Sequence, residues 1–184
     1  CWADPENMTP GYDRHNLFAE QHGLSGKFVL LYSGNLGATH DFETLLKAAQ
    51  RLKGHNGIQF VIIGDGVKRR RIAQLVRKLN LSNVTMLPFQ DPEVLPLSFG
   101  MADIGVVSQG EGAELFSVPS KTYYYMAAGA ALLGIAGEGS ELEQITGQYR
   151  NGKVFRQGSV DEITDFILNL HHHPDILQQY RQSS

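Results

Sequence analysis

Three stretches of this sequence carry residue types that suit an anionic ligand, and each leads into a candidate helix. The first is Gly34-Asn35-Leu36-Gly37, which follows an apolar run. Residues without a β-carbon let a phosphate or a sugar approach the backbone. A plain tight strand-to-helix turn accounts for the same residues, and the dinucleotide fingerprint Gly-x-Gly-x-x-Gly is absent. The second is Gly64-Asp65-Gly66 followed by Lys68, Arg69, Arg70 and Arg71. Cations at a helix start oppose the macrodipole. The run therefore either meets a diphosphate, through Lys68 or Arg69, or forms a solvated face, which suits Arg70 and Arg71 better. The third and most informative is Glu114-Leu115-Phe116-Ser117-Val118-Pro119-Ser120-Lys121, with Pro119 suited to a first helical turn. A helix N-terminus offers unpaired amides and about half a positive charge to a diphosphate. Lys121 would add a full charge. Residue type alone makes Lys121 a surface lysine; its position after a strand and a loop points to phosphate.

Other candidates carry less. Tyr123, Tyr124 and Tyr125 are packing residues, nucleotide contacts or both, and at helical spacing at most one of the three points squarely at a site. His171-His172-His173 cannot converge on one ion, because consecutive helical side chains diverge. No Cys/His pair and no Gly-x-Ser-x-Gly elbow supports covalent hydrolysis.

The elements that must position these loops alternate regularly. Apolar runs at Phe28 to Tyr32, Phe60 to Ile63, Val84 to Leu87, Ile104 to Val107, Ala131 to Ile135 and Lys153 to Phe155 read as strands. Between them, helices are expected at Phe42 to Leu52, Lys68 to Leu79, Glu93 to Met101, Ser120 to Ala128, Ser140 to Thr146 and Val160 to His171, with a last one from Pro174 through Tyr180. Strands alternating with helices imply α/β architecture: a Rossmann-like, doubly wound parallel sheet of about six strands. In such a sheet ligands sit outside the carboxyl ends of the strands, where the glycine-rich loops fall. Residues 1–26, with Pro5, Pro10, Gly11 and a short helix near Asn16 to His22, read as an interdomain linker ahead of one domain over 27–184.

Composition narrows the function classes. With 184 residues, 42% hydrophobic and 19% charged, the chain is expected to be one packed domain. A net charge of −3 gives no general attraction to nucleic acid. The single cysteine, Cys1, excludes an intramolecular disulfide framework and fits a reducing cytoplasm. The longest apolar stretch, Met126 to Ile135, is broken by Gly129 and Gly134 and is shorter than the roughly 20 residues of a membrane span. A start at Cys1 without an initiator methionine reads as a fragment of something longer.

Taken together, Tyr32-Ser33-Gly34-Asn35-Leu36-Gly37, Ile62-Ile63-Gly64-Asp65-Gly66, and Val118-Pro119-Ser120-Lys121 leading to Tyr125-Met126-Ala127-Ala128-Gly129 resemble the C-terminal domain of retaining GT-B glycosyltransferases, the group called glycosyltransferase family 4. The resemblance covers Phe28 to about Tyr180. Trp2-Ala3-Asp4 and Pro10 resemble the segment joining the two GT-B domains, which would place the acceptor domain upstream. The Pro-Ser-Lys form is similar to bacterial enzymes that assemble extracellular polysaccharides or lipid-linked oligosaccharides. That implies a UDP-sugar or GDP-sugar donor, a membrane-associated glycan acceptor, and work in the cytoplasm, including the inner face of the plasma membrane.

Residue by residue, the resemblance implies that Gly34, Asn35 and Gly37 admit the donor, with Gly64 in the neighbouring turn. Backbone around Ser117, Pro119 and Ser120 would hold the diphosphate, and Met86, Leu87 and Pro88 would offer backbone groups to the base. The family's lysine-glycine pair after the first loop reads His40-Asp41 here. The first of its paired glutamates aligns near Phe116, so that Glu114 serves only with a two-residue shift, and the second, a ribose ligand, falls on Tyr124. Gly137-Glu138-Gly139-Ser140-Glu141, with Glu143, resembles a sugar or phosphate edge. The implied reaction is glycosyl transfer with retention and without metal or cofactor, Lys121 stabilising the leaving group and Lys68 or Arg69 assisting; alone, the chain would bind donor and transfer nothing. Two alternatives stand beside it: a GT-B nucleotide-sugar 2-epimerase, and a degenerate nucleotide-binding or assembly domain in which His40 and Tyr124 mark lost donor binding.

Overall fold

A computed structural model describes residues 13–109 and 120–183. The described chain runs α1 (Leu17–Gln21), β1 (Phe28–Ser33), α2 (Phe42–Arg51), β2 (Ile58–Ile63), α3 (Arg69–Lys78), β3 (Val84–Leu87), α4 (Leu95–Gly100), β4 (Ile104–Ser108), α5 (Lys121–Ala127), β5 (Ala131–Ile135), α6 (Glu141–Tyr149), β6 (Gly152–Phe155), α7 (Val160–His172) and α8 (Pro174–Gln182). The six strands form one sheet in the order β3-β2-β1-β4-β5-β6, every pair parallel. The order reverses between β1 and β4, and a doubly wound sheet opens its ligand crevice at that switch point.

Helices cover both faces, so the central strands are apolar on both sides rather than alternating. All residues of β1, β4 and β5 are buried. On one face Leu30, Tyr32, Phe60 and Ile104 pack with α2, α7 and α8; on the other Val29, Leu31, Val61 and Val107 pack with α1, α4, α5 and α6. The lead-in segment belongs to this second layer: Phe18 and Ala19 of α1 are buried, and the Asn16 side chain donates to the Leu97 carbonyl at 2.9 Å.

Sequence and structure differ where hydrogen-bond chemistry decides a boundary. The helix expected from Glu93 begins at Leu95, because Pro96 has no N–H to bond the Pro92 carbonyl; the Leu95 amide takes that carbonyl at 3.3 Å and closes a turn instead. The helix expected from Ser140 begins one residue later with Ser140 as its cap, accepting from the Glu143 amide, and runs on to Tyr149.

At the amino ends of β1 and β4, the carboxylate of Asp103 is fully buried. It accepts from the Val29 amide at 2.8 Å and from the Arg14 guanidinium at 2.5 and 3.1 Å, with Arg181 of α8 3.7 Å away. Burial outweighs the two guanidiniums and holds the Asp103 carboxyl above its usual range, and burial likewise lowers Arg181 to about 10. The cluster is the side-chain tie that joins the lead-in segment, the sheet and the last helix.

Candidate functional site

The first two glycine loops are built as one unit. The Gly34 amide donates to the Ile63 carbonyl at 2.9 Å, the Leu36 amide to Asp65 at 2.8 Å, and the Lys68 amide back to Leu36 at 3.0 Å. Gly64 and Gly66 have φ of +144° and +146°, and a β-carbon on Gly64 would fall 1.9 Å from the Gly34 carbonyl oxygen. Glycine stands at 64 and 66 because the first loop presses on them. Gly34 and Gly37 are the positions that face side chains instead. A β-carbon on Gly34 would lie 3.2 Å from Lys121 Nζ, and one on Gly37 would lie 3.2 Å from both Asn35 Nδ2 and His40 Nδ1.

Lys121 opens α5, a helix of seven residues, and its side chain crosses to the first loop. Its Nζ sits 3.8 Å from the centre of the Tyr32 ring, has no accessible surface, and has no hydrogen-bond partner among the described residues. An ammonium carries three donors, and leaving them unmade away from water is costly. Burial accordingly lowers the Lys121 amine to about 7. Tyr32 beneath it is wholly buried, donates its hydroxyl to the Asn35 carbonyl at 2.8 Å, and is pushed well above its ordinary pKa by burial.

His40 closes the loop from the other side. Its ring lies 6.0 Å from Tyr32 and 6.2 Å from Phe42, and its Nδ1 is buried without a partner. Burial first, then the charge of Lys121, lower it to about 4, against a smaller upward pull from the Gly37 backbone, so it is neutral at pH 7. Asp41 caps α2 by accepting from the Glu43 and Thr44 amides at 3.0 and 3.1 Å. The Asp41 backbone exchanges two hydrogen bonds with the Ser108 hydroxyl at the end of β4. The His40-Asp41 pair thus stitches the first loop to the strand across the switch point.

The remaining sequence candidates fall into three groups. Lys68 spends its ammonium on the His40 carbonyl at 2.5 Å and so holds the loop's shape. Arg69 has a buried, unpartnered Nε and lines a cleft of about 440 Å³ with Asp65, Gly66, Arg70 and Met86. Arg71 pairs with Glu43 at the surface, as its solvated-face reading anticipates. Leu87 ends β3 with its carbonyl taken by the Gly64 amide at 3.1 Å. On α5, Ser120 is exposed and makes no side-chain cap, while Tyr124 packs its ring 5.9 Å from Phe99. Tyr125 is fully buried, donating to the Leu31 carbonyl at 2.8 Å and accepting from the Ser33 amide at 2.9 Å. Of the three tyrosines only Tyr123 is exposed, at 48%. Glu114, Ser117 and Pro119 lie outside the described residues.

The Gly137 to Glu143 stretch has a structural use. Glu143 accepts from the Gly139 amide at 2.9 Å, completing with Ser140 a reciprocal cap on α6, and Arg156 lies 3.9 Å from the same carboxylate. In the histidine run, His171 lies edge-on to Phe28 at 5.2 Å and tilted against the His172 ring at 5.3 Å. Among the described residues, no cluster of three His, Cys, Asp or Glu could hold a metal ion, and no helix is long and apolar enough to cross a membrane.

Sequence reasoning missed Tyr32 as a seat for Lys121. A tyrosine ending an apolar strand two residues before a glycine was the available signal.

The family model for glycosyl transferases group 1 matches residues 14–184. The chain belongs to that family. It is 33% identical over 119 residues to the putative colanic acid biosynthesis glycosyl transferase WcaI of Escherichia coli, covering 65% of this chain and 29% of that protein. To the probable glycosyltransferase WbjE of Pseudomonas aeruginosa it is 32% identical over 151 residues, covering 78% of this chain and 36% of that one. The chain therefore spans about a third of these curated relatives. Its fold matches HepE of Anabaena, solved in complex with UDP, at a TM-score of 0.82 and 13% identity over 98% of this chain and 49% of that one. It matches the C-terminal domain of the group 1 family protein LpcC of Francisella tularensis at 0.71 and 21% identity, over 98% and 93% of the two. The group 1 fold is thus a six-stranded Rossmann-like domain of GT-B type, with its loops at the switch point.

Proposed function

We propose that this group 1 glycosyl transferase domain is the donor-binding half of a retaining, metal-independent GT-B enzyme that uses a UDP- or GDP-sugar in cytoplasmic synthesis of polysaccharide or lipid-linked glycan. The observation that carries the reading is Lys121: a buried amino group with no hydrogen-bond partner among the described residues, at the carboxyl end of the sheet, beside the switch point and above two interlocked glycine loops. A diphosphate supplies the missing acceptors.

In this reading the Gly34 to Gly37 loop and the backbone around Ser117 to Ser120 receive the diphosphate. Lys121 neutralises the charge that builds on it as the glycosidic bond to the leaving group breaks, an electrostatic contribution made by a fixed group in a water-poor site. Arg69 and Met86 border the cleft beside this cradle and, with the backbone of Leu87 at the end of β3, would receive the nucleoside. Acceptor binding falls to the part of the longer protein that this chain does not span, and the chain alone binds donor and transfers nothing. UDP and UDP-glucose in HepE crystals, and the polysaccharide role in the name of WcaI, support the donor and pathway class.

Calorimetric titration with UDP and GDP tests the reading. Lys121→Ala should weaken the better-bound nucleotide by about 10- to 150-fold, the equivalent of losing one charge-assisted hydrogen bond of about 1.5 to 3 kcal/mol. Equal affinities for wild type and variant would remove Lys121 from the site.

A further inference from the structure

The surroundings of Lys121 say more than that it awaits an anion. Its Nζ rests on the Tyr32 ring face, beside Gly34, with no water-accessible surface and no acceptor among the described residues. From β1 the group facing it is Tyr32. From the loop ahead of α2 it is His40, kept neutral chiefly by its own burial. Within its own helix, the Tyr125 hydroxyl is committed to Leu31 and Ser33. The carboxylate of the first loop, Asp41, is committed to the α2 cap. Among the described residues no carboxylate faces the ammonium; Glu111 and Glu114 lie outside them.

An ammonium in that setting loses its hydration and recovers little. The electron-rich face of Tyr32 returns part of the loss and fixes where the nitrogen sits. Tyr32 is itself fixed by its hydrogen bond to Asn35, so the seat and the first loop move together.

We propose that the free site holds Lys121 as the uncharged amine, seated by Tyr32 as a positioning residue, and that a nucleoside diphosphate is taken up together with one proton. The proton comes from the buffer acid and ends on Nζ, where the diphosphate oxygens accept the hydrogen bonds that the free site lacks. Burial lowers the amine to about 7, which leaves it mostly neutral in mildly alkaline solution, where the nucleotide is fully ionised. The inference rests on the nucleotide reading above and adds a protonation state to it.

The test is calorimetry of UDP and GDP binding to this chain at about pH 8.5, in Tris and in EPPS, whose ionisation enthalpies differ; the heat difference reports an uptake of about one proton if the amine is neutral before binding. Lys121→Arg keeps a permanent charge, so its uptake should fall to about zero and its affinity should be flat with pH, where wild type weakens by up to about tenfold per pH unit. Tyr32→Phe keeps the ring and should keep the uptake. Tyr32→Leu removes the seat, exposes the amine and should lower the uptake. Should Tyr32→Leu fail to fold, carbon-13 NMR of labelled lysines in wild type decides: one resonance, absent in Lys121→Arg, titrates near 7. Normal binding with no uptake, or an ordinary lysine midpoint for that resonance, overturns this inference and leaves the nucleotide reading standing. Failure of both nucleotides to bind overturns the nucleotide reading and the uptake with it.

Discussion

Lys121, buried on the Tyr32 ring at the carboxyl end of the sheet, makes the stability of this domain depend on pH. An amine lowered by burial in the folded state to about 7, against about 10.4 unfolded, binds a proton in the unfolded chain but not in the folded one between those values. The unfolded state holds more protons there, so this group's contribution rises with pH from about 7 to about 10, by at most about 1.4 kcal/mol per pH unit. Urea unfolding at several pH values should show that slope in wild type relative to Lys121→Met, which has nothing to titrate. Parallel curves for the two proteins would mean that the amine is solvated. In the sequence, Lys121 was identifiable from its place between a loop and a helix, but its seat was not. Tyr32 lies 89 positions away along the chain, and only β1 pairing beside β4 brings its ring beneath Nζ.

At the scale of elements, the alternation of apolar runs with amphipathic stretches was enough to give the order of strands and helices, because buried parallel strands leave long unbroken apolar runs. Boundaries depended on single hydrogen bonds that periodicity does not report, as at Pro96 and Ser140. Loops were legible in type, and their mutual contacts were not. Gly64 suggested a close backbone approach, and the structure adds that Gly34 makes one. Lys68 suggested a cation beside the first loop, and the structure adds that its ammonium donates to the His40 carbonyl. Gly64→Ala should therefore destabilise the fold by about 2 to 5 kcal/mol, combining a disfavoured positive φ with overpacking against backbone that cannot yield. A denaturant melt measures it, and a loss under about 0.5 kcal/mol, the scale of an ordinary surface change, would show that the two loops are not locked. Ser140→Ala should cost about 1 kcal/mol in the same assay, for the lost cap on α6.

On the scale of the whole molecule, the family match over residues 14–184 goes with one six-stranded parallel sheet whose two ends carry different groups. The glycine loops gather at the carboxyl ends of the strands; the Asp103 cluster sits at the amino ends. Asp103→Ala should lower stability by about 3 to 5 kcal/mol, since it removes the buried carboxylate that lies between the buried Arg181 and part-buried Arg14 guanidiniums. The expected signature is a lower urea midpoint with nucleotide affinity unchanged in the folded fraction. A change in affinity at constant stability would mean that the two ends communicate.

One carboxylate, at the amino ends of β1 and β4, is met by a guanidinium from the lead-in segment and another from the last helix. β1 and β4 are the two middle strands of the sheet, so the cluster lies at the opposite ends of the same strands that carry the first glycine loop and Ser108. The length of β1 and β4 stands between the two, so a probe attached near Arg14 would report on folding without touching the loops.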